Sequence, residues 1–468
     1  MTARSRSELK EFFETGDRPT EDQFADLIDS YTLYSEKLEA LAALLENADQ
    51  TNALLGIDNS GLPTVHSIGT AGRLLIANED ISGVLNTLGL GTLGDFGRLV
   101  LATEEFEQAA NLLDLTPSAS VNFKNRIING DFRVWQSGTA IASPSHAARL
   151  ADRFQLRWSG SAVVTVAQVD GSVSGRKAMR FTVTTGDASI GASDLYKFRY
   201  RGIEAYDFGD AAWGTSSAKT VTLTFRVRSS VTGTYGVLIA NDTGTRRYIA
   251  TYTISQANTW ETKEIQIPGD TTGSWGSDVG RALFIDWTLA GGSNSHGTAN
   301  AWFATSSGST VSTVSGQANA MSSASNTFWI EQIQLEIGDR ATPYAPRPIG
   351  TEFALCQRYL PVIKAESVND YIGGAGIAGN TTSIRVVLPF QVRPRVPPTG
   401  IEISSAAHFS LIQSSTTMQC ISVQFSVGML HGAMCNFGVG SGLTAGTPYL
   451  VFANNASAYI RFDGCDFD

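Results

Sequence analysis

Hydrophobic and polar positions run through this chain in three different rhythms. In Thr20–Ala48 the residues Phe24, Leu27, Tyr31, Tyr34, Leu38, Leu41, Leu45 and Ala48 recur at alternating steps of three and four. That spacing predicts a helix with a coiled-coil-like apolar stripe. Thr20 and Gln23 have capping-box spacing, and Glu21, Asp22 and Asp26 put negative charge where the helix dipole favours it. The stripe needs a partner surface. Another copy of the helix and a surface of its own chain both satisfy it, because periods of 3.5 and 3.6 separate little over so short a stretch. Ile28 and Leu44 beside the seam make it broader than a two-stranded zipper.

Between residues 51 and 121 the pattern is punctuated by glycine and repeats itself. GRLLIANEDISGVLNTLGL (72–90) matches GRLVLATEEFEQAANLLDL (97–115) at an offset of 25 residues. Each copy reads as a short extended run followed by a helix that cannot bury its apolar face alone. Two copies are too few for a solenoid, so stacking against other chains around an axis is expected.

From residue 122 the period changes to two. SAVVTVAQV, KAMRFTVTT, KTVTLTFRVRS, YGVLIAN, RYIATYTI, ETKEIQI, ALFIDWTL and TFWIEQIQLEI are separated by Gly, Ser, Thr and Asn turns. They predict an antiparallel sandwich of jelly-roll type. APRPIG (345–350) reads as a linker and GTEFALCQRYL as a short helix capped by Thr351. TSIRVVLPFQV, ISVQFSVG, YLVFANN and SAYIRFDG then predict a smaller β-sandwich. The expected fold is mainly β with a helical N-terminus. It has four parts: a helical oligomerisation segment (1–50), a shaft (51–121), a jelly roll (122–345), and a short helix with a β-rich tip (346–468).

Composition sharpens this little. Of 468 residues, 42% are hydrophobic and 17% charged, and 46 are glycine, which suits strands and turns with a polar, uncharged surface. No apolar run approaches membrane-spanning length, and MTARSRSELKEFF has no apolar signal core. The net charge of −10 is uneven. Residues 1–121 hold 7 Lys and Arg against 20 Asp and Glu, and the remainder is nearly neutral. That balance argues against a nucleic-acid partner.

Candidate chemistry is sparse. A glycosidase needs two carboxylates across a groove, and no feature pairs Asp187, Asp194, Asp286 or Asp370, which read as turn or solvated strand positions. GxSxG and HExxH are absent. IGGAGIAGN (372–380) reads as a loop, and His66, His146, His296, His408 and His431 are scattered. Cys356, Cys420, Cys435 and Cys465 form no CxxC pair, so zinc is not expected; they read as small buried residues, with pairing outside a cell left open. No catalytic residue, metal site or cofactor is predicted. Trp135 and Trp158 read as core aromatics and Asp152-Arg153 as a local charge pair. Glu331, Gln332, Gln334 and Glu336 read as the solvated or subunit-facing side of a strand. Leu355 and Tyr359 would anchor the short helix between sandwich and tip.

Two motifs carry a resemblance. NRIINGDFRVWQSG (125–138) is followed by ARLADRFQLRW (148–158), and FWIEQIQLEIGDRATPYAPRPIGTEFALCQRYL spans 328–360. Together they resemble the tail-fibre and tail-spike-like proteins of tailed bacteriophages, in which such segments open and close a lectin-like jelly roll. LKEFFETGDRPTEDQFADLIDSY at the N-terminus and NTLGLGTLGDFG in the shaft resemble fibre segments too. The resemblance implies a homotrimer in the virion tail. Its N-terminal end would sit on a tail protein, and its C-terminal end would meet a bacterial surface glycan or protein receptor, with no membrane insertion. Sugar recognition needs an exposed aromatic face and amide or carboxylate partners for hydroxyls. Candidates are Trp213, Trp275 and Asp278 in turn-like settings, and Asn369, Asp370, Tyr371, Asn454, Asn455 and Tyr459 in the tip. A polysaccharide-depolymerising spike and a purely structural adaptor or collar fibre are the alternatives.

Overall fold

The computed structural model describes residues 124–467, preceded by one hairpin of β1 (Ala53–Ile57) and β2 (Pro63–Ser67), paired antiparallel. The seam from Phe24 to Ala48 and the repeat over 72–115 lie outside the described residues. The chain divides into two compact units, Met1–Ala119 and Ser120–Asp468. In the second unit the strands are β3 (Ala140–Ala142), β4 (Phe154–Ser159), β5 (Val163–Asp170), β6 (Lys177–Thr185), β7 (Leu195–Glu204), β8 (Val221–Ser229), β9 (Gly233–Asn241), β10 (Arg246–Ile254), β11 (Glu261–Ile267), β12 (Arg281–Gly291), β13 (Trp302–Ala304) and β14 (Thr327–Ile337). Helix α1 (Ile349–Gln357) follows. Then come β15 (Val362–Lys364), β16 (Tyr371–Ala378), β17 (Ser383–Pro389), β18 (Gly400–Ile403), β19 (Phe409–Gln413), β20 (Thr416–Gln419), β21 (Ser422–Met429), β22 (Gly432–Gly438), β23 (Pro448–Ala453) and β24 (Tyr459–Asp463).

The protein is mainly β. Two six-stranded antiparallel sheets, β13-β10-β9-β12-β7-β4 and β11-β8-β14-β6-β5-β3, form a jelly-roll sandwich between which the chain crosses repeatedly. Every second residue of the strands points inward. Phe198 stacks between Phe181 and Trp287 with ring centroids 5.1 and 5.3 Å apart, and Phe225 meets Trp287 edge-on. Trp135 is buried as expected, while Trp158 is half-buried, with its ring edge on Tyr196. The tip has a separate core shared by a three-stranded sheet, β15-β24-β18, and a seven-stranded one, β20-β19-β23-β16-β17-β22-β21. The stretch read as a loop from its glycines is strand β16. Added Cβ atoms at Gly373 and Gly376 would lie 2.5 Å from Leu388 Cδ2 and the Arg385 carbonyl, so small residues there permit the close approach of β17.

The two motifs meet in space. A bulge at Gln332 (φ 51°) adds one residue to β14, so Ile333 and Leu335 face the same core as Phe328 and Ile330. The opening segment lies beside the bulged half. The Ile333 amide donates to the Gly130 carbonyl (2.9 Å) and the Arg126 amide to the Leu335 carbonyl (2.8 Å). A side chain at Gly130 would strike the Ile333 carbonyl, which explains the glycine. Asn129, at φ 60°, donates through Nδ2 to the Val134 and Asp152 carbonyls and accepts from the Val134 amide. Glu331, Gln334 and Glu336 are buried rather than solvated. Glu331 pairs with Arg226 and accepts from Ser172, while Gln334 donates to Glu336, which accepts from Thr342. Paired this way, their burial cost is offset.

Pro348 is the N-cap of helix α1, and Thr351 lies inside the helix without capping it. Its first-turn carboxylate, Glu352, accepts from the Asn129 amide and pairs with Arg347 (3.2 Å). At its far end Leu355, Cys356 and Tyr359 pack with Ile128, Val134 and Phe467, as expected for an anchor. All four cysteines are buried free thiols.

Arg153 does not pair with Asp152. Its φ of 72° turns it towards the C-terminal segment, where its guanidinium pairs with Asp466 and lies 3.4 Å from the centre of the Tyr359 ring. Asp152 instead accepts from the Gln136 amide (2.8 Å) and side chain. Arg201 reaches Asp466 (3.1 Å) and the Phe467 carbonyl (2.7 Å). Arg395 donates to the Cys465 and Asp466 carbonyls at 2.9 and 3.0 Å. Glu204 at the end of β7 binds both Arg358 (2.6 Å) and the Tyr359 hydroxyl (2.7 Å). Tip, helix and sandwich are thereby closed into one body.

Removing one partner of this buried cluster should be costly. Asp466→Ala removes the carboxylate that the buried Arg153 and Arg201 share, and should lower stability by about 3 to 5 kcal/mol. Asp466→Leu combined with Arg153→Met should recover part of that loss. Urea midpoints of the three proteins measure both effects.

Candidate functional site

Tryptophans 213 and 275, chosen from the sequence as exposed candidates, belong to the core. Each is 6% exposed, and with Trp302 they form an edge-to-face trio with centroids 4.7 to 5.4 Å apart. Their indole N–H groups donate to the Lys219 (2.7 Å) and Thr272 (3.0 Å) carbonyls. Turn-like sequence surroundings reflect how closely the chain folds around these rings. Asp278 is exposed but closes its own turn, accepting from the Gly280 amide.

In the tip the structure brings the candidates from two loops together. The Asn369 amide donates to the Ala453 carbonyl (2.7 Å), placing Asn369, Asp370 and Tyr371 beside Asn454. Asp370 accepts from the Glu366 and Ser367 amides and closes the turn. Asn454 donates to Ser410, Asn455 accepts from the Ser457 amide, and Tyr459 donates to Glu402 (3.2 Å). Tyr371 is the outward aromatic, 60% exposed, and with Asp370, Phe353 and Gln357 it lines a cleft of about 860 Å³.

A second recess lies where the sequence reading placed nothing. The outer face of β4, β7, β12, β9 and β10 carries Arg157, Lys197, Arg199, Phe284, Asp286, Leu238, Ala240, Arg247 and Ile249. Part of that face is covered by the segment after β12, whose Val311 and Val314 pack with Phe303 on Leu238, Ala240, Ile249 and Phe284 as a second small core. The uncovered part is a groove of about 470 Å³. Lys197, Arg199 and Phe284 form its floor. His146, Arg157, Trp158 and Ser159 line one side, and Asp242, Thr243, Arg247, Ser309 and Thr310 the other.

Its electrostatics centre on Asp286, a residue with no exposed surface. Arg199 Nε and Nη2 donate to the two carboxylate oxygens at 2.7 and 2.9 Å, and Lys197 Nζ lies 2.8 Å from one of them. Burial would raise the Asp286 pKa, but the Arg199 and Lys197 charges outweigh it and hold the carboxyl well below its ordinary value. The Lys197 pKa is lowered, first by burial and then by the Arg199 and Arg247 charges, against the pull of Asp286. Arg247 is lowered for similar reasons, and its guanidinium donates to the Gly244, Ser309 and Val311 carbonyls, pinning the groove wall to β10. The Arg199 guanidinium also lies 3.7 Å from the Phe284 ring centre. Asp242 is engaged by Arg281 (2.7 Å).

Sequence reading missed this site although its signal was present. In β7, Tyr196, Phe198 and Tyr200 alternate with Lys197, Arg199 and Arg201. That is a strand whose second face carries three successive cations. Asp286, read as solvated, is the counter-charge to that face. Asp187 is likewise buried and accepts from the Tyr196 hydroxyl, whereas Asp194 is a turn residue accepting from the Gly191 amide.

No family model and no curated protein matches the chain. Among solved structures, it is similar to the enzymatically active domain of tailspike protein 4 of bacteriophage CBA120, at 11% identity and a TM-score of 0.26, covering 46% of this chain and 22% of that one. A CBM4 structure matches at 14% identity and a TM-score of 0.24, covering 45% of this chain and 99% of that one. A family 11 carbohydrate-binding module from Clostridium thermocellum, in complex with a β-1,3-1,4-mixed-linked tetrasaccharide, matches at 16% identity and a TM-score of 0.23, covering 44% and 100%. These are partial likenesses.

Asp286→Asn tests the electrostatic account. A depressed native pKa contributes stability that is fully present above the unfolded value of 3.8 and is lost as pH falls through the native one. At neutral pH the variant should lose about 3 to 5 kcal/mol, because Lys197 and Arg199 stay buried without their carboxylate. The gap between variant and wild-type melting temperatures should narrow as pH falls below that unfolded value.

Proposed function

We propose that this protein is a tail-fibre component of a bacteriophage virion, and that it recognises host-surface glycan through the groove on the outer face of the β4-β7-β12-β9-β10 sheet. The groove is the observation that carries the reading. It has the volume of a small-ligand site. Trp158 supplies aromatic surface, while Ser159, Thr243, Ser309 and Thr310 supply hydroxyls, the combination a pyranose ring needs. Its floor lies on a packed sheet and its wall is held by Arg247, so binding requires little ordering.

The tail-fibre part rests on the resemblance of the two motifs, and it is supported by what their residues do. Asn129, Gly130, Arg153, Glu352 and Tyr359 are joined in one interlock, so the motifs describe a structural unit rather than scattered matches. In this reading the N-terminal helix assembles three chains on a tail protein, and three sites on one fibre act together. The tip, with Tyr371 outward, supplies a second surface for the host. The chain binds glycan without cutting it, since both carboxylates of the groove, Asp242 and Asp286, are engaged in ion pairs whereas hydrolysis needs a working pair.

Purified protein should be retained on a panel of immobilised bacterial capsules and lipopolysaccharides and release no new reducing ends. Release of reducing ends would make it a depolymerising spike. Failure to bind any glycan, together with failure to compete with infection, would leave a purely structural role.

A further inference from the structure

We propose that the outer face of the β11-β8-β14-β6-β5-β3 sheet is a second binding surface, which takes a polysaccharide chain whose anionic groups seat on Arg180 and Arg228. It lies on the other sheet of the sandwich from the groove and does not depend on it. Phe225, Val227, Phe328, Ile330, Met179 and Phe181 fill the core, which turns Arg226, Arg228, Trp329 and Arg180 outward. The register sets Arg228, Trp329, Arg180 and Ala167 side by side across β8, β14, β6 and β5. Both guanidiniums lie by the one indole, 5.1 and 5.2 Å from its centre, and Trp260 meets that indole edge-on with the centroids 6.2 Å apart. Two like charges are thus held close to one ring. Among the described residues neither guanidinium has a hydrogen bond or an ion pair. Glu331, two residues along β14, is taken by Arg226 and Ser172. Other half-buried arginines have a carboxylate in reach, as Arg126 has Asp210, Arg149 has Asp463 and Arg246 has Asp270, and even the buried Arg153 and Arg201 share Asp466.

The rest of the face decides the class of ligand. The Nε atoms of Arg180 and Arg228 are covered, so their terminal nitrogens are the donors turned to the surface. Beside the charged row runs a row of hydroxyls: Thr327, Thr182 and Thr165 are aligned across β14, β6 and β5, two residues along each strand from Trp329, Arg180 and Ala167. All three are half-buried. None of the large hydrophobic side chains that stand exposed among the described residues lies on a strand of this sheet, so the face lacks the apolar centre of a protein interface. Arginines from both neighbouring strands lean on Trp329, which leaves no free indole face there for a nucleobase, and the net charge of −10 opposes a nucleic acid. An anionic sugar chain meets every part of the surface. Its carboxylate or phosphate accepts charge-assisted hydrogen bonds from the guanidiniums, and its ring hydroxyls meet the threonines. The shared chemistry is a negative group on a sugar, supplied either by the carboxylate of an acidic sugar or by a phosphate substituent.

Retention of the full-length chain on immobilised polysaccharides tests this. Polygalacturonate is paired with its carboxyl-reduced form, a phosphomannan with its dephosphorylated form, and single-stranded DNA is run beside them. The anionic member of at least one pair should bind more tightly than its neutral match by about tenfold or more, and the pair that responds identifies the source of the charge. Raised salt should weaken that binding. Arg180→Gln combined with Arg228→Gln should remove the preference. Thr182→Glu should remove it too, because it sets a carboxylate beside Arg180 on β6 while both arginines stay, and it decides the matter where the double variant melts early. Equal binding of charged and neutral members, a preference that survives these variants, or stronger retention on DNA than on either polysaccharide overturns the proposal. Each of these outcomes leaves glycan recognition at the groove standing.

Discussion

Residues 124–467 depend on a buried guanidinium. Arg153 sits in the left-handed region, pairs with Asp466 and lies flat against Tyr359. Burial alone would lower its pKa, but the Asp466 charge reverses the sign. Around it the opening segment, the end of β7, the residues of and after helix α1 and the segment after β24 converge through ion pairs: Glu204 with Arg358, Asp466 with Arg201, Glu352 with Arg347. A long-range cluster of this kind selects one docking of the two domains, because any other arrangement would bury charges unpaired. The sandwich and the tip have hydrophobic cores of their own. Charge pairing decides how they meet.

The same sheet that receives the bracket at one end carries the groove on its outer face. Arg201 belongs to the bracket, and Arg199 and Lys197, two and four residues earlier in β7, belong to the groove. Alternation places all three on one side of the strand and Tyr196, Phe198 and Tyr200 on the other. One strand therefore sets the core, the domain docking and the recess. A change in β7 register would displace all of them together, since a shift of one residue exchanges the two faces.

Strands with apolar alternation and glycine-marked turns were legible in the sequence, and KAMRFTVTT, ETKEIQI and TFWIEQIQLEI coincide with observed strands end to end. The sheet pairing was not, because it joins residues more than a hundred positions apart, such as Phe181 and Phe328. Polar strand residues misled for one physical reason: alternation predicts which residues share a face, not whether that face meets water. Glu331, Glu336 and Asp286 follow the expected alternation closely enough, yet lie inside because a cation or hydroxyl meets each. Trp213 and Trp275 failed in the opposite sense. Neighbouring glycines suggested open turns, whereas the glycines allow the chain to close over indoles that pack on one another. In the tip, IGGAGIAGN hid a strand because glycines there serve close packing of β16 on β17.

A groove built on a sheet differs from one built between loops in what it can discriminate. Its floor cannot move without disturbing the core beneath, since Phe284 and Asp286 alternate with Ile285 and Trp287 on a strand held on both sides. The wall is tied back through Arg247 to three carbonyls. Affinity at such a site comes from pre-organised charge and shape rather than from closure, so each site can be weak and quick to exchange. Weak, rigid, repeated sites suit a surface carrying many copies of one saccharide, because avidity then grows with the number of sites that match the spacing of the ligand. In the proposed reading the groove over β7 supplies the site, and the self-association expected of Phe24–Ala48 from its sequence supplies the copies.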